Sequence, residues 1–209
     1  MASKYLINAR NAREEKNSED AKRFYDMVRT EDPDNAEAKF FYSYYSLREG
    51  TNGEIALRFG RLCNVVIPTI KALAKSEDSK EEKMSVLKAV GDAFIPETWS
   101  LSRYMNHLTV GTGSNQQRVL SDSDITSVCK NGVNTLYAMG DEIESTFAGD
   151  STAMQVAVAA WKEAITLTQK WYSYFDKSLP AKYAEKIKRI DPSYEMPKKG
   201  GCIQLADKR

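Results

Sequence analysis

Apolar residues recur at steps of three and four along most of this chain. Ile55, Phe59, Leu62, Val66, Ile70 and Leu73 make one seam, and Met84, Leu87, Val90 and Phe94 a second. Ile125, Cys129, Val133, Leu136, Gly140, Ile143 and Phe147 make a third, and Met154, Val158, Trp161, Ile165, Thr168, Trp171 and Phe175 a fourth. Residues so spaced share one face of a helix, whereas a half-buried strand needs alternation at every second residue, and no segment reads as a strand. The pattern predicts an all-α protein whose long helices bury narrow stripes against one another.

Capping chemistry sets the boundaries. A first helix runs from about Ser3 to Lys16. Asn17-Ser18 breaks it, Ser18 caps a second helix, and Asp32-Pro33 ends that one, because the residue before proline is pushed out of the helical region. A third helix from Asn35 to Arg48 carries Phe40, Phe41, Tyr42, Tyr44 and Tyr45. Pro68 should kink the fourth helix, and Pro96 should kink or restart the fifth, which opens on a Ser79-x-x-Glu82 capping box. Thr109 to Ser121, with two glycines, reads as the longest loop. The sixth helix starts between Ser121 and Asp124 and ends at Gly149-Asp150. The seventh, Ser151 to about Phe175, packs antiparallel on it, and the last starts at Pro180 and stops at Asp191-Pro192.

A period of 34 residues can be laid on the start of the chain. Tyr5 falls at a large aromatic position, Ala9 at a small one, Ala21 and Tyr25 at the small and aromatic positions of the second helix, and Pro33 at the terminal proline. Ser43, Gly50, Phe59 and Leu62 continue in phase, with Pro68 one residue late. On these residues the N-terminal third resembles the tetratricopeptide family. Asn17 to Asp26 followed by long helices and Lys198-Lys199-Gly200-Gly201-Cys202 is also similar to bacterial proteins of that build. The resemblance implies stacked helical hairpins with a concave face for peptides or protein segments. Only two units can be argued, so TPR-like hairpins over 1–50 would pack on a long-helix bundle over 51–192, with a flexible tail over 193–209.

The charge balance, 30 basic against 29 acidic residues, gives a net +1 and no overall field to attract phosphate backbones or an anionic membrane. Basic residues near the end, among them Lys182, Lys186, Lys188 and Arg189, read as a solvated helix face. No run approaches the ~20 apolar residues of a membrane span, and the first residues lack a signal-peptide stretch, so a cytoplasmic protein is expected. Cys63, Cys129 and Cys202 are far apart, without a CxxC pair, which argues against disulfide or zinc; Cys63 and Cys129 read as core thiols. His107 is the single histidine. Gly111 to Asn115 lacks the GK[ST] of a phosphate loop. Asp141, Glu142 and Glu144 lack a Glu-x-x-His partner and read as solvated.

No catalytic residue, metal or cofactor is therefore expected. The leading expectation is a non-enzymatic interaction or scaffold module that uses Tyr42, Tyr44, Tyr45 and Arg48 to hold a protein or peptide partner, with no nucleic acid and no membrane. Aromatic residues and arginine are the usual interface anchors. The alternative is a small-ligand or sensory domain with a pocket lined by Trp99, Trp161 and Trp171. Homodimerisation through the apolar seams stays open.

Overall fold

The computed structural model describes residues 3–49, 54–105, 109–110, 117–118, 122–170 and 175–197. Within these, the side chains of Arg48, 102–105, Asp122 and Asp124 lie outside the description, as do those of 109–110 and 117–118. The described residues form eight α-helices: α1 Lys4–Glu14, α2 Ser18–Glu31, α3 Ala36–Tyr45, α4 Ile55–Lys75, α5 Lys80–Met105, α6 Asp122–Thr146, α7 Ser151–Lys170 and α8 Leu179–Ile190. The fold is all-helical. Its one extended pairing is two residues long, Thr109–Val110 antiparallel to Gln117–Arg118, within the stretch expected as a loop.

The first three helices start on polar side chains. Ser3 Oγ accepts from the Leu6 amide at 3.3 Å, Asn17 Oδ1 from Asp20 at 3.2 Å, and Asn35 Oδ1 from Ala38 at 3.0 Å. The cap of α2 is thus Asn17 rather than Ser18, which is already helical; the amide one residue earlier reaches the same orphan donors. The end of α1 is a Schellman turn, with Lys16 N–H bonded to Arg13 O at 3.1 Å and Asn17 N–H to Ala12 O at 2.9 Å. This turn puts Lys16 at φ +59, a left-handed conformation that a side chain disfavours. After α3 the chain tightens into a 3-10 turn, Ser46–Arg48, instead of staying α-helical to Arg48.

Neither proline ends its helix: Pro68 lies inside α4 and Pro96 inside α5. In both cases the proline and the residue four before it, Asn64 or Asp92, are exposed, so water can satisfy the carbonyl that loses its partner. Ser79 Oγ accepts from the Glu82 amide at 3.2 Å, which is half of the expected capping box. Glu82 does not return the bond; its carboxylate takes Arg10 of α1.

The long helices α4 to α7 form a four-helix bundle. α4 packs along α6, α6 along α7, α7 along α5, and α5 on α4. Phe59 lies against Gly132 while Lys71 pairs with Glu142, so α4 and α6 run parallel. Tyr137 bonds Thr168 and Gly140 lies against Trp161, so α6 and α7 are antiparallel, as their short connection requires. Gly149 at φ +86 makes that connection, and Asp150 caps α7 by accepting from the Ala153 amide at 3.0 Å. The core runs through all helices, with Phe59, Phe94 and Trp161 fully enclosed and Cys63 and Cys129 buried outside any disulfide. Burial pushes the Cys63 thiol up to about 12.

α8 covers the α6–α7 face. Tyr183 stacks on Tyr137 with ring centroids 4.2 Å apart and donates to Asp141 at 2.7 Å. Lys186 bridges Asp141 at 2.8 Å and Glu144 at 2.7 Å, and Glu142 pairs with Lys71. The acidic trio and Lys186 therefore fasten helices together instead of facing solvent freely. α8 begins at Leu179, one residue before Pro180; α7 is described as far as Lys170, and Phe175 lies in a bend. The first residues of the expected tail pack back: Tyr194 lies against the core under Lys162, and Pro197 O accepts from Gln169 Nε2 at 2.9 Å.

Candidate functional site

α3 divides its aromatic residues among three directions, because five of them fall within six consecutive positions. Phe40 and Phe41 are fully buried; Tyr42, Tyr44 and Tyr45 are half-buried. Tyr42 turns toward α2, where Arg29 lies 3.9 Å and Lys22 5.0 Å from its ring centroid. Tyr44 and Tyr45 line a cleft against α5, with Tyr45 also stacked toward Tyr25 of α2 at 6.3 Å between ring centroids. Phe41 sits beneath them, 6.3 Å from Tyr44 and 6.2 Å from Tyr45, and stacks on Tyr25 of α2 at 5.1 Å. Burial raises the Tyr45 hydroxyl to about 12, with Arg13 acting against it, so Tyr45 stays a neutral phenol near pH 7. Of the four expected contact residues the structure brings together two, Tyr44 and Tyr45. Tyr42 lies on the far side of α3, and the Arg48 side chain is outside the described residues.

Beneath this surface lies a buried ionic network absent from the sequence reading. Glu37, 3% exposed, accepts from Arg10 Nη2 at 2.6 Å and Nε at 3.0 Å, from Arg13 Nη1 at 3.0 Å and from the Tyr25 hydroxyl at 2.9 Å. Arg10 Nη1 reaches Glu82 of α5 at 3.0 Å. Burial would lower the Arg10 pKa, but bonding to Glu37 and Glu82 outweighs it and raises it, while burial and Glu37 together push the Tyr25 hydroxyl well above its ordinary range. A carboxylate this enclosed is tolerated because every lone pair direction finds a donor, two of them charged. The network locks α1, α2 and α3 and ties them to α5 through one arginine.

Two clefts follow one another along α1, α3 and α5. The first, about 610 Å³, is lined by Leu6 and Arg10 of α1, Ala36 and Glu37 of α3, and Glu82 and Val86 of α5, with the ends of α2 and α4 closing it. The second, about 670 Å³, continues with Arg13 of α1, Lys16 of the turn that follows it, Tyr44 and Tyr45 of α3, and Ala89 and Ala93 of α5. Residue numbers rise along all three helices in the same order, so the three run in one direction and wall two successive clefts, together called the groove, which share no lining residue; the Arg10–Glu82 pair crosses from α1 to α5 in the first. On α5 the stripe Glu82, Val86, Ala89, Ala93, Glu97 faces it, while Met84, Leu87, Val90 and Phe94 enter the bundle. At 1.5 Å per residue, Glu82 to Glu97 gives the groove a length of roughly 22 Å. Ala89 and Ala93 are what leave it open: two small side chains one turn apart opposite two tyrosines.

Of the tryptophans expected to line a pocket, Trp161 lies in the core. That indole is completely enclosed, and Trp99 lies at a bundle edge under Lys170. Trp171 is outside the described residues, as are His107, Gly111 to Asn115 and Cys202. Among the described residues no group of three or more His, Cys, Asp or Glu side chains is arranged to hold a metal ion. No described helix is long and apolar enough to cross a membrane.

The groove walls contributed by α5 went unnoticed in the sequence, although Ala89 and Ala93 lie four apart and off the Met84 seam. A second, small-residue stripe on one helix was the available signal. Comparison with known protein families, curated proteins and solved structures returns no match to this chain.

Proposed function

We propose that this is a non-enzymatic, cytoplasmic interaction or scaffold module, whose TPR-like opening helices hold a segment of a partner protein in the groove between α1, α3 and α5. The observation that carries the reading is the pair of half-exposed tyrosines, Tyr44 and Tyr45, standing over Ala89 and Ala93 in a cleft of about 670 Å³. Tyrosine supplies large contact area at a low entropic cost, and such a cleft fits one or two apolar side chains of a bound segment. The converging groups beside it are charged side chains already engaged with each other, which suits docking rather than proton transfer: Arg13 is committed to Glu37, and Asp92 to Lys88 at 2.6 Å.

The test is a pair of variants in a co-purification from the native cell. Tyr44→Ala removes an anchor and Ala93→Trp fills the cleft, and both should abolish recovery of a partner that the unaltered chain and an Arg61→Ala control recover alike. Circular dichroism and the melting temperature verify the fold. Equal recovery by all four proteins would sink the reading.

A further inference from the structure

The first half of the groove differs from the second in charge. Its lining has six carboxylates, Glu31, Asp32, Asp34, Glu37, Asp78 and Glu82, against one guanidinium, Arg10, in a chain whose overall charge is only +1. Two of the six are neutralised within the fold, Glu37 and Glu82 by Arg10, and Asp34 pairs with Lys39 at the rim. Glu31, Asp32 and Asp78 pair with no cation among the described residues. Glu31 and Asp32 are neighbours in sequence where α2 ends, and the fold brings Asp78 of the α4–α5 turn to the same cleft.

Below this rim the cleft reaches the buried Leu6, Val28, Leu73 and Val86, with the half-buried Ala36 and Ala72 as its accessible apolar side chains. Farther along the same three helices come Tyr44 and Tyr45 over Ala89 and Ala93, where the exposed charge is mixed.

We infer that the groove takes a bipartite segment of a partner protein, with lysine or arginine residues seated among Glu31, Asp32 and Asp78 and an apolar anchor seated between Tyr44 and Ala93. This rests on the interaction reading above and adds the chemistry and polarity of the partner. The long aliphatic stems of lysine and arginine suit Ala36 and Ala72 while their charged ends reach the acidic rim. Complementary charge speeds encounter and excludes acidic partners and nucleic acid. The roughly 22 Å of groove corresponds to about fifteen residues of helix or about seven of extended chain.

The test is a selection from a random peptide display library on the full chain, followed by affinity measurement of the enriched peptides. The panel is the unaltered chain, a Glu31→Lys/Asp78→Lys variant and an Ala93→Trp variant, each verified by circular dichroism. All three altered positions lie outside the ionic network, and Glu31 and Asp78 are exposed. Enriched peptides should carry clustered lysine or arginine beside an aliphatic or aromatic residue. They should bind the charge-reversed variant at least about tenfold more weakly, weaken in 0.5 M salt, as screening of exposed charges requires, and weaken on Ala93→Trp as well. Peptides that bind the charge-reversed chain equally well but lose the Ala93→Trp variant would overturn the basic-partner assignment and leave the interaction reading standing. Peptides indifferent to both variants, or no enrichment above an empty support, would overturn both. Self-association of the chain that the charge reversal dissolves would assign the acidic half to a second copy and overturn the proposal.

Discussion

Gly140 of α6 and Trp161 of α7 approach so closely that a Cβ on residue 140 would clash with the indole Nε1. The indole is fully buried, and Nε1 has no hydrogen-bond partner. The contact fixes the spacing of the two helices that contribute most to the bundle, and a methyl group there has nowhere to go. Gly140→Ala should destabilise the protein by about 1–3 kcal/mol, the usual cost of overpacking, despite alanine's better helix propensity. Denaturant titration followed by tryptophan fluorescence reads it; a neutral or stabilising effect would mean that α6 and α7 are farther apart than described.

Glu37 anchors the opening helices through Arg10, Arg13 and Tyr25. Glu37→Gln leaves two guanidinium groups without their shared counter-charge and should cost about 3 kcal/mol, the range for breaking one side of a buried ion pair. Tyr25→Phe removes the donor to Glu37 and the acceptor of Arg13 Nη1 but leaves the ion pairs in place, and should cost about 1–2 kcal/mol. Thermal unfolding of the two variants orders them, and a smaller loss for Glu37→Gln than for Tyr25→Phe would contradict the network.

Lys16 occupies the left-handed position of the Schellman turn, where glycine carries no Cβ penalty. Lys16→Gly should therefore stabilise the chain by about 0.5–1 kcal/mol. The midpoint of urea unfolding should rise at constant slope. A fall would show that the lysine side chain contributes more than its backbone strain costs.

Asp150 caps α7 and pairs with Lys80 at 2.9 Å, and the Ala153 amide, followed by Lys80, holds its carboxyl below the usual carboxylate range. A lowered folded pKa means stability that is present above the unfolded value, about 4, and lost as pH falls through the folded value beneath it. Asp150→Ala should cost about 1 kcal/mol at pH 7, as for other caps. The gap between variant and parent should narrow as pH falls below the unfolded value. A gap independent of pH down to acid unfolding would refute the charged cap.

The long helices were legible because each one buries a single stripe at helical spacing, and a sequence displays such stripes directly. The proline positions were less so: whether Pro68 or Pro96 breaks a helix depends on whether the freed carbonyl meets water, and exposure is a tertiary property. α3 was ambiguous for a related reason. With aromatic residues at five of six positions, periodicity cannot tell Tyr42, turned to α2, from Tyr44 and Tyr45, turned to the groove. Glu37 and Glu82 resemble any surface glutamate in sequence, since what distinguishes them is an arginine 27 or 72 residues away. The groove itself is a relation among three helices, and only its smallest sign, the Ala89–Ala93 pair, is local.

The most direct measurement of the central claim is site-specific photo-crosslinking in the native cell. A benzophenone side chain placed at Glu14, exposed at the rim of the second cleft, is compared with one at Lys130, an exposed position on α6 away from it. The account predicts one or a few discrete protein adducts from position 14, lost on Tyr44→Ala and missing from position 130. The same adduct pattern from both positions, or none from position 14 in a folded chain, would contradict it.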